Sequence, residues 1–435
     1  MKILLVGDNR TANNWGGRGG SIALYQMLEQ AFEIKGVVYG SEFASGGPGL
    51  GYVNTLFPKR FHWLFEILVS RREKYKLCDW YVKLEELMGA GDSISEDPIE
   101  SADKIIRYKN KHVKLQEIYD KIKGADAVVI NGEGDLVFAT PPRREALFLL
   151  AMIEMGTRLG KKVFFVNAVV SDCPVTGRNL GVFEATRRMF RKCAGLSLRD
   201  PVSYEFVKRN IPNVNCIYLP DSLFSWFKVI DKFGIDLPKC GDFIIPHPEK
   251  PLYWGKLDFS KPYICIGGSS LSGWNPKRAI ESYTTLVEKV RELGYAVYLT
   301  ENDGRDSFLE EIANRCNVGI VPVWTPILMC GAVLANAKLF ISGRYHPTIL
   351  ASLGGTPCVF LASASHKMLS LQEVLEYEDI REFSAFPSDD EIEEIYVRSK
   401  DLLNCGERLR EKVKAAAKRR CEETRQMTKF IKDNL

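Results

Sequence analysis

The stretch KLFISGRYHPTILASLGGTPCVFL, residues 338–361, decides the reading of the fold. It opens on a near-continuous apolar run, KLFISG (338–343), and closes on another, PCVFL (357–361). A helical pattern at 347–353 lies between them. Apolar runs that do not alternate with polar residues are expected of parallel strands covered on both faces. At the junction stand Gly343, Arg344 and His346, one of only five histidines in the chain. Working outward, the same rhythm recurs. YICIGG (263–268), AVYLT (296–300) and VGIVPV (318–323) alternate with helical patterns at 276–293, 306–315 and 327–336. KILLVG (2–7), KGVVYG (35–40), DAVVING (126–132), KVFFVNAVV (162–170), GLSLRD (195–200) and CIYLPD (216–221) form an earlier set, with helices at 143–159 and 179–193. The pattern predicts an α/β chain of two Rossmann-like domains facing a cleft.

The expected organisation is an N-terminal domain over 1–227, a Pro/Gly-rich linker over 228–261, a second domain over 262–405 and a basic C-terminal helix over 406–435. A charged helical insertion at about 59–123 interrupts the first domain. Its start, RFHWLFEILVSRREKYK, places aromatic bulk beside a basic run. That fits either an interfacial helix on an anionic membrane or a helix docked on its own domain.

At 435 residues the chain exceeds one core, and its net charge of +4 is too small to imply nucleic acid. No apolar run is long enough for a membrane-spanning helix. The N-terminus lacks the long apolar region of a signal peptide. Eleven scattered cysteines without a C-x-x-C pair read as reduced thiols of a cytoplasmic protein.

Ligands of open parallel sheets collect at the carboxyl ends of the strands. After the first strand comes GDNRTANNWGGRGG, four glycines before a helix expected to open near Ser21. It is either a binding loop, through Gly17, Arg18, Gly19 and Gly20, or a plain flexible turn. NGEGD (131–135) offers Glu133 and Asp135 on a glycine-bracketed turn, to orient or deprotonate a hydroxyl or to cap a helix. SLRDPVS places Arg199 at a strand end, suited to an anion clamp or to a structural ion pair. Arg344 supplies fixed charge, His346 a group that titrates near neutrality, and Pro347 suits a helix start whose dipole favours anions. SASHKM (363–368) brings Lys367 towards the same crevice, with His366 expected in solvent. GGSSLSGW (267–274) offers Ser269 and Ser270 to a phosphate. No D-x-D loop suggests a metal.

These pieces, in this order, resemble the polysaccharide pyruvyl transferase family: GDNRTANNWGGRGG, NGEGD, SLRDPVS, ISGRYHPTILASLGGTPCVFL and SHKM. Tyr345 stands where the family has a small aliphatic residue. The resemblance implies a fold like that of type B glycosyltransferases and phosphoenolpyruvate as donor, with no cofactor. The product would be a pyruvate ketal on two hydroxyls of a capsule, exopolysaccharide or cell-wall precursor, free or lipid-linked. On that expectation His346 is the acid–base, with Glu133 or Asp135 orienting the acceptor. Arg199, Arg344 and Lys367 would hold the donor, helped by Ser269 and Ser270, at the inner face of a membrane or free in the cytoplasm. Two alternatives share the fold: an inverting nucleotide-sugar glycosyltransferase of the sialyl- or Kdo-transferase kind, and a non-catalytic glycan-binding protein.

Overall fold

The computed structural model describes residues 1–40, 92–233 and 257–435. The aromatic–basic start of the expected insertion and the centre of the expected linker lie outside them.

The first sheet is parallel, ordered β2-β1-β3-β4-β5-β6. Its strands are β1 (Lys2–Asp8), β2 (Glu33–Tyr39), β3 (Ala127–Phe138), β4 (Lys162–Asp172), β5 (Gly195–Leu198) and β6 (Cys216–Tyr218). The second is ordered β11-β10-β7-β8-β9. It comprises β7 (Tyr263–Ser269), β8 (Ala296–Thr300), β9 (Gly319–Val321), β10 (Leu339–Gly343) and β11 (Cys358–Phe360). Both orders reverse direction once, beside β1 and beside β7, and such switch points open a crevice at the strands' carboxyl ends.

Strand alternation assigns the two faces of the first sheet. Ile3 and Leu5 enter one apolar cluster, Leu4 and Val6 the other. The helices between strands cover both faces: α1 (Trp15–Glu29), α2 (Pro98–Tyr108), α3 (Val113–Gly124), α4 (Arg144–Arg158), α5 (Leu180–Phe190) and α6 (Pro201–Asn210). Residues 98–123, assigned by sequence to the insertion, are α2 and α3. They bury Ala102, Ile105, Leu115, Ile118 and Ile122 against the sheet, and α3 leads into β3.

A short helix, α7 (Phe227–Phe233), leaves the first domain. The second sheet carries α8 (Pro276–Arg291), α9 (Phe308–Arg315), α10 (Ile327–Asn336), α11 (Tyr345–Leu353), α12 (Lys367–Val374) and α13 (Asp389–Asn404). The chain then crosses back. In α14 (Gly406–Thr424), Ala417 and Cys421 pack in the cluster beneath the second sheet. In α15 (Gln426–Asp433), Met427 and Ile431 pack beneath the first. Lys418, Arg419 and Arg425 lie on the exposed side of this strap.

The cleft is closed along one side. Trp15 and Ala23 of α1 share an apolar cluster with Leu223, Phe224, Val333, Ile349 and Leu350. The indole Nε1 of Trp15 donates to Val323 O at 2.9 Å, and Arg18 Nη2 donates to the same carbonyl at 2.7 Å. Asp200 receives hydrogen bonds from Ser203 and, across the interface, from Ser370, and it lies 2.9 Å from His366 Nε2. His366, expected in solvent, therefore bridges the domains.

Candidate active site

The carboxyl ends of both sheets enclose a cavity of about 590 Å³. Two sequence expectations about its walls change. First, α1 opens at Trp15, not near Ser21, so the glycines form its first turns. Asn14 caps it, accepting from Gly17 N at 2.9 Å. Glycine is required here by close approach: a Cβ on Gly16 would fall 2.4 Å from His346 Nδ1. Gly16 and Gly17 line the cavity. Gly19 instead faces Leu223 and Ile327, Gly20 faces the His346 ring, and Arg18 is tied to backbone carbonyls of the second domain.

Second, NGEGD is not a turn. It lies within β3, whose pairing with β4 is irregular between Glu133 and Leu136. Glu133 has φ of 37°, a left-handed conformation uncommon outside glycine and asparagine. The irregularity turns Glu133 towards Ser21 Oγ, which donates to its Oε1 at 3.1 Å, while Asn131 Nδ2 donates at 3.2 Å. Burial, then the neighbouring Asp135, push the Glu133 pKa up to about 7. Burial and Glu145 push Asp135 up to about 6, against the pull of Arg143, Arg199 and Lys367.

Arg199, at the end of β5, is 1% exposed and Asp221 is fully buried. Arg199 Nη1 donates to Asp221 Oδ2 at 2.9 Å and lies 3.2 Å from His346 Nε2. The same carboxylate oxygen is 3.3 Å from that ring nitrogen. Burial favours a neutral Asp221, but the opposite charges of His346 and Arg199 outweigh it and hold the carboxyl at about 2. His346 is lowered, by burial first; Asp221 opposes this, while Arg199 and Lys367 reinforce it. The Tyr345 ring lies under the Arg199 guanidinium, 4.5 Å from its carbon, as a cation–π support. That gives the departure at Tyr345 a physical role.

On the second domain, the Gly343 Cα packs against Ser269 and the Ala362 carbonyl, which a Cβ would strike at 2.7 and 2.8 Å. Close packing is what this glycine permits. α11 opens at Tyr345, two residues before its expected start, and Tyr345, His346 and Pro347 of its first turn line the cavity. Arg344 is anchored by buried Asp306 and lies 3.9 Å from Asp303. Lys367 is the first residue of α12, where a cation opposes the helix dipole. Burial, Arg199 and Arg344 together depress it to about 7. Burying that cation beside other cations is unfavourable unless an anion joins it.

Ser270 lines the cavity, and its Oγ accepts from Ala364 N at 2.9 Å. Ser269 is buried, its hydroxyl donating to Ala362 O and accepting from Leu271 N. The structure thus brings His346, Glu133, Asp135, Arg199, Arg344, Lys367, Ser270 and Gly17 to one cavity. Ser269, Arg18, Gly19 and Gly20 lie behind it. Sequence reasoning missed Asp221, which follows β6 in LPDS and was open to the same strand-end test. It also missed Arg143 and Arg305, which add two cations to the walls. Among the described residues no cluster of three or more metal-ligating side chains occurs, and no helix is long and apolar enough to cross a membrane.

Two facing doubly wound domains with a strap returning from the second to the first define the class: a glycosyltransferase-B-like α/β protein. Solved structures agree. Across 100% of this chain and 99% of the other, the fold is similar to that of UDP-GlcNAc 2-epimerase from Neisseria meningitidis, with TM-score 0.53 and 12% identity. A putative UDP-N-acetylglucosamine 2-epimerase from Listeria monocytogenes gives TM-score 0.52 and 11% identity, covering 97% of this chain and 94% of its own. UGT2 of Phytolacca americana gives TM-score 0.50 and 11% identity, with 99% and 98% covered. At such identities the likeness is one of fold alone. No curated protein sequence matches the chain. The model of the polysaccharide pyruvyl transferase family does, over residues 21–366. The chain belongs to that family, and it is a transferase enzyme.

Proposed function

We propose that this transferase moves the enolpyruvyl group of phosphoenolpyruvate onto two hydroxyls of a sugar in a polysaccharide or its precursor, forming a pyruvate ketal and releasing phosphate. The observation that carries the reading is the division of charge in one cavity. Arg199, Arg344, Arg305, Arg143 and Lys367 supply cations, Glu133, Asp135 and Glu145 supply carboxyls, and His346 lines the same cavity beside Arg199. A donor with about three negative charges needs such cations and a helix N-terminus. Asp306 and Asp221 hold two of the arginines in fixed orientations.

In the proposed sequence His346 gives a proton to the donor's methylene carbon. The first sugar hydroxyl adds to the central carbon, and its proton passes to Glu133 or Asp135. The carbon–oxygen bond to phosphate then breaks. The second hydroxyl closes the ring, and its proton leaves with phosphate or restores His346. Raised carboxyl pKa values suit groups that take protons near neutral pH. The imidazole, kept towards neutrality by burial, gains its proton when the donor's negative charge arrives beside it.

Thermal-shift titration separates this reading from nucleotide-sugar transfer. Stabilisation by phosphoenolpyruvate and not by UDP, CMP or GDP is the expected result. Stabilisation by a nucleotide alone would overturn it.

A further inference from the structure

The largest exposed apolar side chain of the described residues sits on the rim of this cavity. Trp274 is 63% exposed and lines the opening, whereas Arg199 and Arg344, at 1% and 7%, lie at depth. Single exposed apolar residues are ordinary on protein surfaces. Three features set this one apart. Its backbone is rigidly held: Trp274 N donates to Leu271 O at 3.1 Å, and Ser272 Oγ both accepts from Ser269 N and donates to Ser269 O at 2.8 Å. Asn275 and Pro276 then start α8, so the indole is carried between a strand end and a helix start. The turn is also clamped from the side, because a Cβ on Gly273 would meet Arg305 at 2.8 Å. Finally, among the described residues no ring or guanidinium stacks on the indole. An exposed aromatic side chain on a held backbone at the mouth of a polar cavity, unstacked among the described residues, offers a binding surface to a flat apolar partner.

Phosphoenolpyruvate has no saturated ring to offer, and its charges are matched deeper in the cavity. A pyranose presents an apolar C–H face and polar edges. We infer that Trp274 is the stacking platform for the acceptor sugar, holding one face of the pyranose at the cavity mouth so that two of its hydroxyls point inward; this rests on the pyruvyl-transfer reading above. Ser270 lines the same cavity. Its oxygen already accepts from Ala364 N, and its hydroxyl hydrogen remains able to donate to a sugar oxygen.

The test uses the full-length protein, phosphoenolpyruvate and methyl glycosides of glucose, galactose, N-acetylglucosamine and N-acetylmannosamine. For an accepted glycoside, Trp274→Ala raises the acceptor KM roughly 3–10-fold, leaves the donor KM unchanged, and Trp274→Phe restores most of the loss. An unchanged acceptor KM, or an equal shift in the donor KM, overturns the assignment. Acrylamide quenching gives a readout independent of turnover: a glycoside protects an emission component that Trp274→Phe lacks. Protection by UDP or CMP and by no glycoside would instead make the indole a nucleobase platform and sink the inference. Protection by a glycoside without any ketal from phosphoenolpyruvate leaves the platform standing and removes the donor reading.

Discussion

His346 touches Arg199 and Asp221 through one nitrogen and packs its ring on Gly16 and Gly20. Its replacement is therefore readable as chemistry. His346→Ala loses roughly 10²–10⁴-fold in turnover with its thermal transition still cooperative. Lys367 gives the account a pH signature. With its pKa depressed to about 7, the free enzyme loses this charge as pH rises through neutrality. Donor kcat/KM falls on that limb, and Lys367→Arg, permanently charged, removes the fall. An identical profile in that variant would exclude Lys367 from donor capture. Glu133 carries the opposite bargain. Its folded pKa is about 7 against an ordinary 4.5. Between those values the folded chain keeps a proton that the unfolded chain has released, so stability declines as pH rises through that window. Above it, Glu133→Gln is more stable than the parent by on the order of 3 kcal/mol, yet less active. Melting curves at pH 8 beside turnover measure both.

At the scale of elements, all eleven strands read from sequence are present. Near-continuous Val, Ile, Leu and Phe have one outcome where both faces are covered, so the pattern was legible without tertiary knowledge. The glycines of α1 were not. Glycine costs a helix about 1 kcal/mol relative to alanine, and local propensity favours a loop. Here the shape of the neighbouring domain overrides propensity, because only a bare backbone admits His346. NGEGD misled for a related reason: its glycines serve an irregular strand rather than a turn. Gly16→Ala tests the argument. It strengthens the isolated helix but displaces the imidazole, so the protein stays folded while turnover falls by up to about 10²-fold. Gly124→Ala, where a Cβ meets nothing within 4 Å, leaves turnover unchanged. Equal activity in both variants would show that the approach of α1 to His346 is immaterial.

At the scale of the whole molecule the site exists only because the two domains are locked. Asp221 and His346 lie 125 residues apart, the difference of their numbers, and meet at 3.3 Å. No local pattern announces such a pair, which is why the sequence pointed to His346 and Arg199 but not to the carboxylate that joins them. The strap maintains the lock. Removing 426–435 strips Met427 and Ile431 from beneath the first sheet, each burial being worth about 1.5–3 kcal/mol. The truncated protein melts at lower temperature and captures phosphoenolpyruvate less tightly, both visible in one thermal-shift titration. Unaltered donor stabilisation in the truncated form would show that the strap serves folding alone. The central claim joins these scales: a cation-lined interdomain cavity delivers a proton to the donor's carbon and a sugar to its neighbour. Mass spectrometry of glycan precursors incubated with phosphoenolpyruvate in H₂O and in D₂O tests it most directly. The account predicts a gain of about 70 Da in H₂O, with about one further mass unit fixed in the ketal's methyl group in D₂O, and loss of both in His346→Ala. Phosphate release without that gain, or a nucleotide-dependent gain of a whole sugar, would contradict it.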